Sequence, residues 1–241
     1  MVDNNHGDFM TSFILKIIGI FTMFCDHVGD ALIGHFSFCN YIGRLSFPIF
    51  AFQTVQGYIH TSNIKKHIGK LFIFACISQI PFMLFTATFC DDYYLNVFFT
   101  LLLGILALLG FDNIKNKYIG TIFVALMCTI GHFLKVDYGW YGVLAIFVFY
   151  IFQSDKYLKF IHCKKFVMCI SFVFITIIKY IPDIVANPSV RYIYLLCTLC
   201  TCLSLIPICF YNGKQGPKSA YLFYVFYPLH LLVLAGIHYL L

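Results

Sequence analysis

Between residues 12 and 34 the chain runs almost unbroken through apolar side chains, and after a short polar break the pattern resumes from 38 to 60. A run of about 20 apolar residues is long enough to cross the hydrocarbon core of a bilayer as a helix. The same measure marks runs near 70–88, 95–111, 118–134, 140–153, 165–182, 191–210 and 219–240. Lipid offers the backbone no hydrogen-bond partners, so each run must satisfy its own N–H and C=O groups, which predicts a helix. The expected fold class is an all-α, polytopic integral membrane helix bundle with about nine transmembrane helices. Residues 1–11 read as a short polar N-terminal head and 12–241 as a single transmembrane domain. The sixth run is short and the seventh contains Lys179, so these two depart most from the pattern.

Only 11% of the chain is charged and 61% is hydrophobic, against roughly 25% charged in a soluble domain. That leaves no stretch from which a soluble domain could be built. The first run is longer than a secretory h-region, and no small-residue cleavage site follows it, so it reads as a retained helix. The 11 cysteines lie mostly inside apolar runs, where Cys behaves as a small hydrophobe. Cys197, Cys200 and Cys202 have the look of a metal knot, but they share one apolar run with no partner cluster, and no metal site is expected.

The net charge of +6 is spread over short loops rather than gathered into a patch, which sets nucleic-acid binding aside. Basic residues fall in alternate loops: Lys65, Lys66, His67 and Lys70; Lys115 and Lys117; Lys156, Lys159, Lys164 and Lys165; Lys214 and Lys218. The intervening loops carry Asp91 and Asp92, then Lys135 with Asp137, then Asp183 with Arg191. Basic loops stay cytoplasmic, so the N-terminus is expected inside and the C-terminus outside. That orientation gives each polar residue a depth. Lys16 lies near the cytoplasmic end of the first helix, whereas Asp26 and His27 lie two-thirds or more of the way across. Arg44 lies roughly 9 Å below the outer surface on the returning helix. Gln53, Gln56, His60 and Gln79 form a deeper or more cytoplasmic trail. Ionisable groups in hydrocarbon cost several kcal/mol each and generally mark function.

Several phrases resemble the TraX family, named for the conjugation protein that acetylates the N-terminus of F-type pilin. They are Leu15-Lys16-Ile17-Ile18 through Asp26-His27-Val28-Gly29, Gly43-Arg44-Leu45-Ser46-Phe47-Pro48, Ile77-Ser78-Gln79-Ile80-Pro81-Phe82 and Asn96-Val97-Phe98-Phe99-Thr100. Asp137-Tyr138-Gly139-Trp140-Tyr141-Gly142 and Phe226-Tyr227-Pro228-Leu229-His230 follow, in order, across nearly the whole chain. The family is similar to the wider transmembrane acyltransferases, many of which carry a basic residue, ten intervening residues and a histidine in the first helix. Lys16 and His27 have that spacing. Eleven residues advance about 16 Å and about three full turns, so both side chains leave one face. The resemblance implies a cytoplasmic acetyl-CoA donor and an amine or hydroxyl acceptor at the outer face. A pilin-like peptide, a surface polysaccharide and a small amine all qualify as acceptor.

On that reading His27 is the general base, since an imidazole can take a proton from an attacking amine or hydroxyl. Asp26 and Arg44 complete the catalytic set. Consecutive helical residues point about 100° apart, so Asp26 is expected to orient Arg44 rather than His27. Arg44 suits an oxygen that becomes negative, or an acceptor carboxylate. Lys16 is placed at a CoA phosphate, with Gln53 and Gln56 along the donor's path. Asp30, one turn beyond the Asp26–His27 pair, joins Asn96, His132 and Tyr138 as candidates for holding the acceptor. His230 is expected chiefly to bond a neighbouring helix, and Pro48, Pro81 and Pro228 to kink helices and open space. Two other readings stay open: an ion-pair network that only locks the first helices together, and a transporter or channel with an intramembrane Asp/His/Arg relay.

Overall fold

A computed structural model describes residues 10–34, 36–90, 92–154, 156–158, 163–217 and 220–241. Asp91, Lys159 and Lys218, which contribute to the loop-charge pattern, and most of the 1–11 head lie outside the described residues. The elements in order are α1 (Ser12–Val28), a π turn (Gly29–Ile33), α2 (Phe38–Gly43), α3 (Ser46–His60), α4 (Ile64–Thr86) and α5 (Val97–Asn113). There follow α6 (Lys117–Phe133), α7 (Gly139–Gln153), α8 (Lys164–Ala186), a 3₁₀ turn (Pro188–Val190), α9 (Arg191–Leu203), α10 (Leu205–Cys209) and α11 (Ala220–Leu240). No strand forms among the described residues beyond two isolated bridges, Met10 with Tyr211 and Leu95 with Val136.

Each of the nine apolar runs is a helical pass, and two are interrupted. The second is broken at Arg44 and Leu45, between α2 and α3, and the eighth at Ser204, between α9 and α10. Five stretches are long and apolar enough to cross a membrane: Ser12–Ile33, Ile64–Thr86, Lys164–Ala186, Pro188–Cys209 and Phe223–Leu240. The helices at Val97–Asn113, Lys117–Phe133 and Gly139–Gln153 are apolar but shorter. The chain is an all-α helical membrane bundle. Its surface agrees: Ile80, Phe174 and Leu199 are each more than half exposed, an arrangement that suits hydrocarbon rather than water.

Helix starts follow from short polar side chains that satisfy the first free N–H groups. Thr11 accepts from Ile14 N at 3.3 Å, Asn63 from Lys66 N at 2.9 Å and Asn116 from Tyr118 N at 2.9 Å. Ser37 and Asn40 form a reciprocal capping box on α2. Pro81 and Pro228 lie inside α4 and α11, which pack against each other. Pro48 gives the expected interruption: it is the third residue of α3, and the second pass breaks at Arg44, the residue whose carbonyl a proline at 48 would clash with in a continuous helix. Pro182 does not end α8, which continues to Ala186.

The core is aromatic, with Phe52, Phe85, Tyr141, Phe149, Tyr150 and Phe172 all fully buried. Close approach of α5 and α7 depends on two glycines. A Cβ on Gly104 would collide with Ile146, and one on Gly142 with Thr100. This is the small-residue packing common between membrane helices. At the basic-loop end, Asp112 of α5 ties the bundle together. Its carboxylate accepts from Tyr58 Oη (3.1 Å), Tyr150 Oη (2.6 Å), Tyr157 Oη (2.7 Å) and Lys156 Nζ (2.9 Å).

Candidate active site

Two polar regions lie along α1. At the basic-loop end a cavity of about 440 Å³ is lined by Lys16, Gln53, Gln56, His60, His67 and Lys70, with Phe98 and Tyr224 deeper in. The three residues expected along a donor's path, Lys16, Gln53 and Gln56, therefore share one cavity. Lys16 Nζ sits 5.4 Å above the Phe223 ring. Gln53 is tied to α1, accepting from Ser12 Oγ at 2.7 Å, and Gln56 donates to Gln153 Oε1 at 3.4 Å. His60, His67 and Lys70 place three further basic side chains around the same opening.

The second region surrounds Asp26, His27, Asp30 and Arg44. Past Val28 the first helix widens into the π turn, a distortion that recurs at functional sites. Asn40, only 2% exposed, spans both carboxylates. Its Nδ2 donates to Asp26 Oδ1 at 3.3 Å, to the Asp26 carbonyl at 3.1 Å and to Asp30 Oδ1 at 2.8 Å. Its Oδ1 accepts from Ser37 N and Oγ. Arg44 Nη2 lies 3.4 Å from Asp26 Oδ1, and Arg44 Nε is shielded with no hydrogen-bond partner among the described residues. Because α2 ends at Gly43, the guanidinium leaves from the break in the second pass. Around the pair, the charges of Asp26, Arg44, Lys179 and Asp30 all act on Asp137, and Tyr138 feels Asp137, Asp26 and Arg44. Tyr138 stacks on Phe47 with ring centres 3.7 Å apart, and Lys179 Nζ lies 4.6 Å over the Tyr180 ring.

His27 points away from the ion pair, into an aromatic shell. Its ring is 4.9 Å from Phe85 and 6.4 Å from Tyr227. Its Nδ1 is 2.7 Å from His230 Nε2. His27 follows Asp26 directly on α1, so the base candidate and the Asp26–Arg44 pair share one turn of that helix. Tyr227 connects the two regions, because its ring also meets Phe98 of the cavity at 5.1 Å.

Not every candidate gathers here. Asn96 is fully buried and fully used as a cap. Its Nδ2 donates to Ala75 O (2.8 Å) and Gln79 Oε1 (2.9 Å), while its Oδ1 accepts from Phe98 N (3.0 Å). Both amide hydrogens are taken and the oxygen is engaged in the cap, away from any opening. His132 is exposed at the end of α6, with Phe133 as its ring neighbour at 5.6 Å. Asn40 and Lys179 belong to the site without being among the sequence candidates, and His230, expected to bond a neighbouring helix, bonds His27 of α1. Lys179 carried a usable signal, a cation within an apolar run, and so did Asn40, a polar residue in a short apolar segment.

The family model described as TraX protein matches residues 12–238. A curated relative, "Probable fimbrial assembly protein FimC, serogroup H1" from Dichelobacter nodosus, is 27% identical over 249 residues, covering 94% of this chain and 95% of its own length. No solved structure matches the chain significantly.

Proposed function

We propose, from the premise that the chain belongs to the TraX family, that it is a multi-pass acetyltransferase of the cell membrane. It takes an acetyl group from cytoplasmic acetyl-CoA and delivers it to an amine or hydroxyl on the outer face. The observation that carries this reading is the placement of two complementary regions on one helix. Lys16 opens a basic cavity at the cytoplasmic end by the loop-charge rule. His27, eleven residues on in the other half, follows directly on the Asp26 that pairs with Arg44. A donor with anionic phosphates and a thin pantetheine arm suits the cavity: Lys16, His60, His67 and Lys70 attract the phosphates, and Gln53 and Gln56 line the arm. The relative's name, a fimbrial assembly protein, makes a pilin-like peptide the first acceptor to try.

The chemistry follows from the groups present. The imidazole of His27 accepts the proton of the attacking N–H or O–H as the acceptor adds to the thioester carbonyl. Arg44 stabilises the oxygen that becomes negative, in a site from which bulk water is largely excluded. Asp26 and Asn40 hold Arg44 in place. Collapse of the tetrahedral species breaks the C–S bond, and the proton held by His27 passes to the departing thiolate. The net result is one C–N or C–O bond made and one C–S bond broken. The test is acetyl transfer from labelled acetyl-CoA in vesicles, with mass spectrometry of surface material from cells with and without the protein. His27→Ala should abolish the added acetyl group while the protein stays folded. Undiminished transfer by that variant would remove the proposal.

A further inference from the structure

His230 lies on α11, 203 residues from His27 in sequence, and its ring sits nearly parallel to that of His27 at 5.0 Å. Two contacts of 2.7 Å define the pair: His27 Nδ1 with His230 Nε2, and His230 Nδ1 with the Phe226 carbonyl oxygen. A carbonyl can only accept, so His230 Nδ1 carries a hydrogen. His230 is 5% exposed, and Phe24, Phe226 and Tyr227 pack around its ring. A second hydrogen would place an unpaired positive charge in that apolar shell, beside another imidazole, at a cost of several kcal/mol. His230 Nε2 is therefore an acceptor, and His27 Nδ1 must be the donor. Among the described residues, His27 Nε2 has no hydrogen-bond partner.

We propose that His230 is a positioning residue: the chain from the Phe226 carbonyl through His230 fixes the tautomer of His27, so that Nε2 is the nitrogen that accepts the acceptor's proton. Free imidazoles in water favour the opposite tautomer, with the hydrogen on Nε2 and no lone pair there to act as base. The pair resembles in logic an imidazole oriented by a carboxylate. Its orienter, however, is neutral and is itself oriented by a helix carbonyl. When Nε2 takes a proton during transfer, the resulting imidazolium keeps its Nδ1–H bonded to His230 Nε2. That bond holds the ring still until the proton leaves on the thiolate. The proposal rests on His27 acting as the base in acetyl transfer.

Two measurements on the full chain in lipid nanodiscs test it. The first needs no activity: ¹⁵N-histidine spectra, with the His27 signals assigned by their loss in His27→Asn. They should show Nδ1 protonated and Nε2 bare in the unsubstituted protein; the reverse pattern overturns the proposal even if the protein is an acetyltransferase. The second is kinetic. His230→Ala should lower kcat by about 10²-fold, the low end of what a general base contributes, with KM for acetyl-CoA within about twofold. His230→Gln, whose side-chain carbonyl can still accept from Nδ1, should recover most of that loss and keep the unsubstituted tautomer. If His230→Ala and His230→Gln fall equally, or kcat stays unchanged in both, His230 does not act through the tautomer. If the spectra show the expected tautomer but no variant or parent protein transfers acetyl, the function of the site fails while the tautomer assignment stands.

Discussion

Gly43 lies so tightly against Asp26 that a Cβ added to it would collide with Asp26 Cβ and Cγ. The last residue of α2 thereby sets how near the break in the second pass comes to the first helix, and so the reach of Arg44. Gly43→Ala forces one of these backbones to shift, and overpacking of this kind costs about 1–3 kcal/mol. Acetyl transfer should fall at least tenfold, about 1.4 kcal/mol of barrier, as Asp26 and Arg44 part. Melting in detergent, run beside the transfer assay, should show a lowered midpoint as well.

Lys16 stands at the cavity mouth, half-buried over Phe223. If it meets a donor phosphate, Lys16→Ala removes binding made equally in the ground and transition states. The KM for acetyl-CoA then rises with kcat nearly unchanged. A charge-assisted contact at an open site is worth about 1 kcal/mol, or about fivefold in KM. Initial rates across a range of acetyl-CoA concentrations check this; a fall in kcat alone would place Lys16 elsewhere.

Asp112 should matter for stability and little for chemistry. Asp112→Ala deprives the buried Tyr150 hydroxyl of its 2.6 Å partner and releases Tyr58, Tyr157 and Lys156. A stranded buried hydroxyl costs about 1–3 kcal/mol. Thermal unfolding should fall accordingly, and Asp112→Asn, which keeps an accepting oxygen, should fall less.

Asn96 and His132 give a contrast. Asn96→Ala removes an N-cap, typically about 1 kcal/mol of stability, and should leave the acceptor's KM as it was. His132→Ala, at an exposed helix end, should change neither melting nor transfer by a measurable amount. A raised acceptor KM in either variant would return that residue to the acceptor site.

Much of the architecture was legible in the sequence because membrane insertion is governed by composition along the chain. Apolar runs in lipid must be helical, and among the described residues each of the nine runs is helical, five stretches being long enough to cross. The breaks at Arg44 and Ser204 were hidden. Neither shows in the apolar pattern, but each lies about one turn before a proline, Pro48 or Pro207, which disfavours a continuous helix there, and side-chain bonds such as Ser204 Oγ to the Thr201 carbonyl at 2.6 Å hold the turn. Depth also placed Lys16, Gln53 and Gln56 together, and these line one cavity. Depth misled for Asn96, which is at the right level but turned inward to cap α5 and bind Gln79.

The sequence by itself determined the helices, the expected sidedness of their loops and the shared face of Lys16 and His27, because each depends on neighbours within one segment or on the order of charges along the chain. The pairing of Asp26 with Arg44 follows from their depths, but only the tertiary structure decided the other partners: Asn40 between Asp26 and Asp30, and His27 against His230. The first joins neighbouring elements 10 and 14 residues apart in the chain, and the second joins helices 203 residues apart. They are set by how apolar faces and glycine contacts pack, a balance of many weak contacts that no single segment records.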